Sequence, residues 1–215
     1  MLHEWMRIWF SWVENWGYTG VFVLMAMESS IIPVPSEVVM PPAAFWAAQG
    51  KMSFSGVVLA GTLGSYFGSA ISYWISQWLG LPLLKRYGKY VLLPEDKLEL
   101  AQDWVLKFGM PGIFVARLLP VVRHLISIPA GILRMPFGKF SLVTIVGAGL
   151  WCWVLAWFGQ EVIGNRPELI QSPEAMVAVM KEKLHWFVAA VLAMAVLYGV
   201  VLWFKTSARR KKVAA

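Results

Sequence analysis

Apolar residues fill most of this chain, and the polar residues that interrupt them recur in an order that predicts helices of three kinds. Over residues 2–16, Leu2, Trp5, Met6, Trp9, Val13 and Trp16 fall at helical spacing, with His3, Glu4, Arg7, Ser11 and Glu14 on the other side. A tryptophan-rich amphipathic stretch of this kind predicts a helix lying in a membrane interface. The plainer alternative is the first turns of a longer spanning helix. From Tyr18 to Gln49 the sequence is apolar but is punctured by four prolines and by Glu28 and Glu37. Its first arm, Tyr18 to Ser30, falls short of the roughly 20 apolar residues a span needs. The pattern predicts a re-entrant hairpin broken at Pro33 and Pro35. Ser36 is expected to cap the second arm, with Glu37 in its first turn, where the helix dipole favours an anion. Non-helical backbone at that depth must be shielded by protein or water, which places the hairpin inside the molecule.

Ser53 to Leu79 is long enough to span. Its small-residue side, Gly61, Gly64, Ser65, Gly68, Ser69 and Ser72, permits close helix approach. Packing against the hairpin of the same chain is the expected use of Gly64 and Gly68, ahead of a dimer seam. Residues 80–109 carry Lys85, Arg86, Lys89, Lys97 and Lys107, a basic cluster that argues for the cytoplasmic side. Pro94 opens a second interfacial helix there, striped by Leu98, Ala101, Trp104, Val105 and Phe108, and Gly109 ends it. Pro111 to Leu133 repeats the hairpin pattern, now with Arg117 and Arg123 flanking Pro120. Phe137 to Phe158 spans, and Ser172-Pro173-Glu174 starts a last helix through Phe204.

The order of elements therefore repeats. Trp16-Gly17-Tyr18-Thr19-Gly20-Val21-Phe22-Val23 parallels Phe108-Gly109-Met110-Pro111-Gly112-Ile113-Phe114-Val115, and Met52, Phe54, Leu59 and Gly64 parallel Met135, Phe137, Leu142 and Gly147. The expected fold is an all-α membrane protein: an inverted repeat of interfacial helix, re-entrant hairpin and transmembrane helix, plus a C-terminal transmembrane helix. One polytopic domain would hold repeat 1 at about 1–79, repeat 2 at about 94–160 and the last helix at about 173–205.

Composition agrees with a membrane protein. Of 215 residues, 59% are hydrophobic and 14% charged, against roughly 25% charged in soluble domains. A formal charge of +7 owes much to the tail between Lys205 and Lys212, which reads as a cytoplasmic anchor and not as a nucleic-acid site. The single cysteine, Cys152, excludes a disulfide within the chain and is expected to be a packing residue. No cofactor or metal site is expected. Glu4, Arg7 and Glu14 interrupt the N-terminus, unlike a cleaved signal peptide.

Charge at bilayer depth costs roughly 2.5–3.5 kcal/mol per residue on insertion scales, so Glu28, Glu37, Arg117 and Arg123 must pair, hydrate or titrate. Breaks at the prolines let each pair converge. Buried ion pairs that lock the hairpins together are one reading. The functional one divides the roles: Arg117 and Arg123 offer forked donors for a phosphate-like anion, while Glu28 and Glu37 exchange protons. His124 is either an accessory to these or a hydrogen-bonding packer. Lys51, Arg134 and Lys139 are expected at ends of elements, snorkelling to headgroups. Trp151, Trp153 and Trp157 offer the lining of an apolar groove, but facing lipid is the default expectation.

Glu28-Ser-Ser-Ile-Ile-Pro33-x-Pro35-Ser36-Glu37 and Phe114-x-x-Arg117-x-x-Pro120-x-x-Arg123, with Gly131 downstream, resemble the DedA family, also called SNARE-associated or VTT-domain membrane proteins. The resemblance covers roughly residues 15–160. It implies facing re-entrant hairpins, dependence on the proton motive force and movement of lipids across bilayers. The compact Pro-Ser-Glu form looks most like the branch implicated in recycling undecaprenyl phosphate, the carrier lipid of bacterial envelope synthesis. On that resemblance the paired acids fall on Glu28 and Glu37 and the essential arginines on Arg117 and Arg123; Ser36 and His124 are accessory candidates from their own positions beside Glu37 and Arg123. The expected protein is a non-enzymatic flippase of a polyprenyl phosphate in the bacterial inner membrane, multi-pass, its C-terminus cytoplasmic. Lipid phosphate, bilayer and protons would be its partners, and a homo-oligomer stays open. Rival readings are a proton-coupled antiporter of small cations or drugs, a general phospholipid scramblase, a lipid phosphatase and a non-catalytic scaffold.

Overall fold

Two long apolar helices pack against each other, and shorter or broken ones pack around them. The computed structural model describes residues 2–30, 35–87, 95–119, 122–123 and 125–163, and among these it is all-α. In chain order the helices are α1 (Leu2–Trp16), α2 (Tyr18–Glu28), α3 (Ser36–Ala48), α4 (Phe54–Tyr87), α5 (Glu95–Arg117), α6 (Ser127–Ile132) and α7 (Phe137–Ile163). The expected helix over 173–205 lies outside the described residues, as do Pro33, Pro120, His124 and the side chains of the basic stretch from Lys85 to Lys97.

Glycine supplies the breaks that lengthy apolar sequence would not make by itself. Gly17 separates α1 from α2 with φ 54° and ψ −127°, and Gly109 kinks α5 with φ 55° and ψ −134°. Any Cβ at these angles would be strained, so a residue without one is required. Gly80, at φ 66°, breaks α4 in the same manner. Ser53 caps α4 by accepting the Gly56 N–H at 3.1 Å. α3 begins after Pro35 and continues through Pro41 and Pro42, both buried. Neither proline can donate to the carbonyl four residues behind it.

Phe54–Gly80 within α4 (27 residues) and Phe137–Glu161 within α7 (25 residues) are each long and apolar enough to cross a membrane. Their faces point the wrong way for a water-soluble protein. On α4 the exposed ridge is Leu59, Leu63, Phe67, Ile71, Trp74 and Trp78, while Thr62, Ser65, Ser69, Ser72 and Ser76 are buried. Apolar residues outward and hydroxyls inward suit a lipid surround.

Packing is close where side chains are smallest. A Cβ at Gly64 or Gly68 would collide with the Phe22 and Ala26 carbonyl oxygens, so these glycines seat α2 against α4 within one chain, as expected. In the second half α5 packs on α7 in the same way, and other contacts run between distant parts of the chain: α3 packs on α7, α6 packs on α4, and α4 packs on α7. A Cβ at Gly159 would come within 2.6 Å of Pro41 Cα, and one at Gly131 would strike the Tyr73 carbonyl. One apolar cluster joins α1, α2, α3, α4 and α7 through Trp9, Val13, Leu24, Val39, Val57 and Leu155. A second, around Tyr73, Ile113, Ile126 and Phe140, joins α4, α5, α6 and α7. Cys152 is buried beside Gly61 in the first, the packing role expected of it.

Candidate functional site

Between the two apolar clusters lies buried polar chemistry arranged around two guanidinium groups. Arg123, on the turn that precedes α6, is 4% exposed and is ion-paired with Glu28 at the end of α2, itself 3% exposed. Four groups converge there. Glu28 Oε1 accepts the Ser36 N–H at 3.0 Å. Arg123 Nη2 donates to Ser36 Oγ at 2.9 Å, and Trp151 Nε1 donates to the same oxygen at 3.2 Å. The Trp151 ring lies 5.0 Å from the guanidinium carbon, within cation–π range. Glu28 Oε2 has no hydrogen-bond partner among the described residues.

Two expectations change here. Ser36 is not a side-chain cap: the N-cap position is Pro35, and Ser36 is the first residue of α3, with its hydroxyl turned to Arg123 and Trp151. The charged partner outcompetes the local backbone amide for that oxygen. Nor does Trp151 face lipid. It is fully buried because docking of α3 on α7 covers that face, while Trp153 and Trp157 are about half exposed, as expected of lipid-facing residues.

Arg117, at the end of α5, is 2% exposed and held differently. Nη1 donates to Ser69 Oγ of α4 at 2.8 Å, and Nη2 to Ser127 Oγ, the first residue of α6, at 2.8 Å. The Phe140 ring of α7 lies 5.6 Å from its guanidinium carbon. Gly147 makes room for the stem, since a Cβ there would sit 2.9 Å from Arg117 Cβ. No carboxylate pairs with Arg117 among the described residues, and its Nε is without a partner. Two of five N–H donors are thus spoken for by neutral hydroxyls.

A ladder of hydroxyls on α4 connects the two seats. Ser65 Oγ shares a 2.7 Å hydrogen bond with Ser29 Oγ, next to Glu28. Ser72 Oγ donates to the Ser29 carbonyl at 3.2 Å, and Ser69 holds Arg117 one turn away. Below them the Tyr73 hydroxyl donates to the Met135 carbonyl.

Of the residues expected to form the site, Glu28, Ser36 and Arg123 come into direct contact, and Arg117 is buried in the adjoining seat. Glu37 lies in the first turn of α3, half-buried. His124, Pro33 and Pro120 fall outside the described residues, while Pro35 is exposed at the start of α3. Lys51, Arg134 and Lys139 are exposed at ends of elements, Lys51 lying 4.0 Å above the Trp46 ring and 4.0 Å from Glu14. Sequence reasoning missed Ser127 and Trp151 as arginine partners, and treated Ser69 only as a small packing residue. Ser127 carried one signal: like Ser36, it is the serine that opens a helix just after a proline-containing break. Among the described residues no cluster of histidine, cysteine and carboxylate could hold a metal ion.

A buried guanidinium without a carboxylate partner among the described residues, beside a second one that has such a partner, can accept an anion. Known proteins resemble the chain as follows. The VTT domain family matches residues 32–161. A Bacillus subtilis protein named undecaprenyl phosphate transporter A is 36% identical over 184 residues, covering 83% of this chain and 91% of that protein. A Staphylococcus aureus protein of the same name is 30% identical over 152 residues, 69% of this chain and 75% of that one. An alkaline phosphatase-like protein of Lactococcus lactis subsp. cremoris is 30% identical over 198 residues, 90% and 89% of the two chains. No solved structure matches.

Proposed function

The chain belongs to the VTT-domain (DedA) family of membrane proteins, and from that premise we propose that it is a transporter returning a polyprenyl phosphate, such as undecaprenyl phosphate, to the cytoplasmic face of a bacterial inner membrane. The observation that carries the reading is Arg117, buried, fixed by two serines and lacking a carboxylate partner among the described residues. A cation so placed is costly unless an anion visits it. Arg117 and Arg123 hold the phosphate within the polar hollow while the prenyl tail stays in lipid.

Glu28 and Glu37 carry the protons that couple movement to the gradient. Arrival of a phosphate on Arg123 loosens the Glu28 contact, and a proton on Glu28 keeps the displaced carboxyl neutral. Ser36 and His124 are accessories, Ser36 by holding the Arg123 guanidinium. The architecture that serves this is an inverted repeat with facing re-entrant hairpins and a cytoplasmic C-terminus. Matching glycine breaks at Gly17 and Gly109, and the exchange by which α3 packs on α7 and α6 on α4, support it.

Reconstitution tests the proposal. Proteoliposomes are expected to move undecaprenyl phosphate between leaflets, faster with a pH gradient, and Arg117→Ala is expected to abolish movement. Wild-type protein that moves none, with or without a gradient, defeats the reading. Release of inorganic phosphate from the lipid would instead favour hydrolysis, the activity suggested by the name of the Lactococcus relative.

A further inference from the structure

One buried hydroxyl near Arg117 is left without a hydrogen-bond partner among the described residues. Thr144, on α7, is completely buried, and its Oγ1 has no hydrogen-bond partner among the described residues. A threonine or serine inside a helix commonly bonds the carbonyl of the preceding turn. Thr62 does this to the Val58 carbonyl at 2.7 Å, and Ser76 to the Ser72 carbonyl at 2.6 Å. Thr144 does not.

Its neighbours along α7 show where it looks. Phe140, four residues earlier, lies against the Arg117 guanidinium, and Gly147, three residues later, lies against the Arg117 stem. Helix positions spaced by three and four share a face, so Thr144 belongs to the face turned toward Arg117. Arg117 has its own orphan there, the Nε–H, while Ser69 and Ser127 clamp the rest of the group in one orientation. A buried hydroxyl and a buried cationic N–H cost free energy for as long as nothing meets them.

The geometry points to Thr144 as a headgroup-contacting residue: its hydroxyl and Arg117 Nε together seat one tetrahedral oxyanion of the phosphate-monoester class, each donating to a different oxygen. This rests on the phosphate reading above and deepens it, because it assigns the first anion contact to Arg117. Arg123 is already neutralised by Glu28. Thr144 is a specificity residue in this scheme, since an apolar side chain of the same shape would fill its place without serving the anion.

The test is equilibrium binding to the purified full chain in detergent, using a short polyprenyl phosphate, inorganic phosphate and the matching polyprenol. Wild type, Thr144→Val and Thr144→Ser are compared, with thermal unfolding in parallel. Wild type is expected to bind the phosphorylated lipid and not the alcohol. Thr144→Val should weaken that binding about tenfold or more, the loss of one hydrogen bond to a charged group. Thr144→Ser should stay within about threefold of wild type, because it keeps the hydroxyl. The Thr144→Val chain should unfold no earlier than wild type. Inorganic phosphate binding with the same Thr144 dependence would support the seat and name free phosphate as its source. Unchanged lipid affinity in a folded Thr144→Val chain overturns the Thr144 assignment and leaves the phosphate reading standing, the hydroxyl then serving only a trapped water. Earlier unfolding together with lost affinity also overturns it, by making the hydroxyl structural. Wild type that binds neither phosphate defeats both readings.

Discussion

Arg117 and Arg123 are both buried, yet the protein treats them as opposites. Arg123 has a full counter-charge in Glu28, a serine acceptor and a tryptophan face. Arg117 has two neutral hydroxyls, a phenyl ring and an unmet N–H. The first seat is closed electrostatically and the second is open. Removing one member of a buried pair is strongly destabilising, because the other is left as an uncompensated charge. Removing Arg117 leaves no such charge behind. On the proposed reading, the difference separates a residue that ties α2 to the turn before α6 from one kept ready for an outside anion.

The largest effect should come from splitting the closed pair. Arg123→Ala is expected to lower stability by about 3–5 kcal/mol, read as an earlier unfolding midpoint in detergent, and adding Glu28→Gln should recover a large part of it. If Arg123→Ala unfolds no earlier than Arg117→Ala, the contrast is broken. Next comes Arg117→Ala, expected to cost less in stability, about 1–3 kcal/mol, while eliminating lipid-phosphate binding. Full binding by that variant would reverse the assignment of the open seat. Ser36→Ala removes one acceptor shared by Arg123 and Trp151 and should cost about 1–3 kcal/mol. Ser127→Ala should cost less in the same unfolding measurement and show instead as weaker lipid binding, since the freed guanidinium loses its aim. The smallest effect is expected of Phe140→Leu, which keeps the burial but loses the ring face, worth about 0.5–2 kcal/mol. A much larger loss would mean that the ring, and not the serines, positions Arg117.

The breaks that bring these residues together were legible in the chain, but the contrast between the two arginines was not. Prolines and glycines placed the breaks, because backbone restrictions are local: Pro35 precedes α3 and Gly109 interrupts α5 where the sequence pattern put them. The seating of Gly64 and Gly68 against the hairpin was legible for the same reason. Partner choice was not. Glu28 meets Arg123 across most of the fold, and nothing in either hairpin alone says which carboxylate takes which arginine. Trp151 illustrates the limit. It and Trp153 stand two residues apart, about 200° around the helix, so only one can face inward. The docking of α3 decides which. Ser36 stood where caps usually stand, and only the arriving guanidinium diverted its hydroxyl.

The exchange of second arms, α3 onto α7 and α6 onto α4, bears on how the chain is made. A nascent chain stopped at Tyr87 already holds Glu28, Ser36 and Ser69, but every guanidinium and ring that will meet them is still on the ribosome. The early half can seat α2 on α4 by itself, but the Glu28 carboxylate meets its counter-charge only when the late half arrives. The polar centre is therefore the last part of the molecule that can be completed during synthesis.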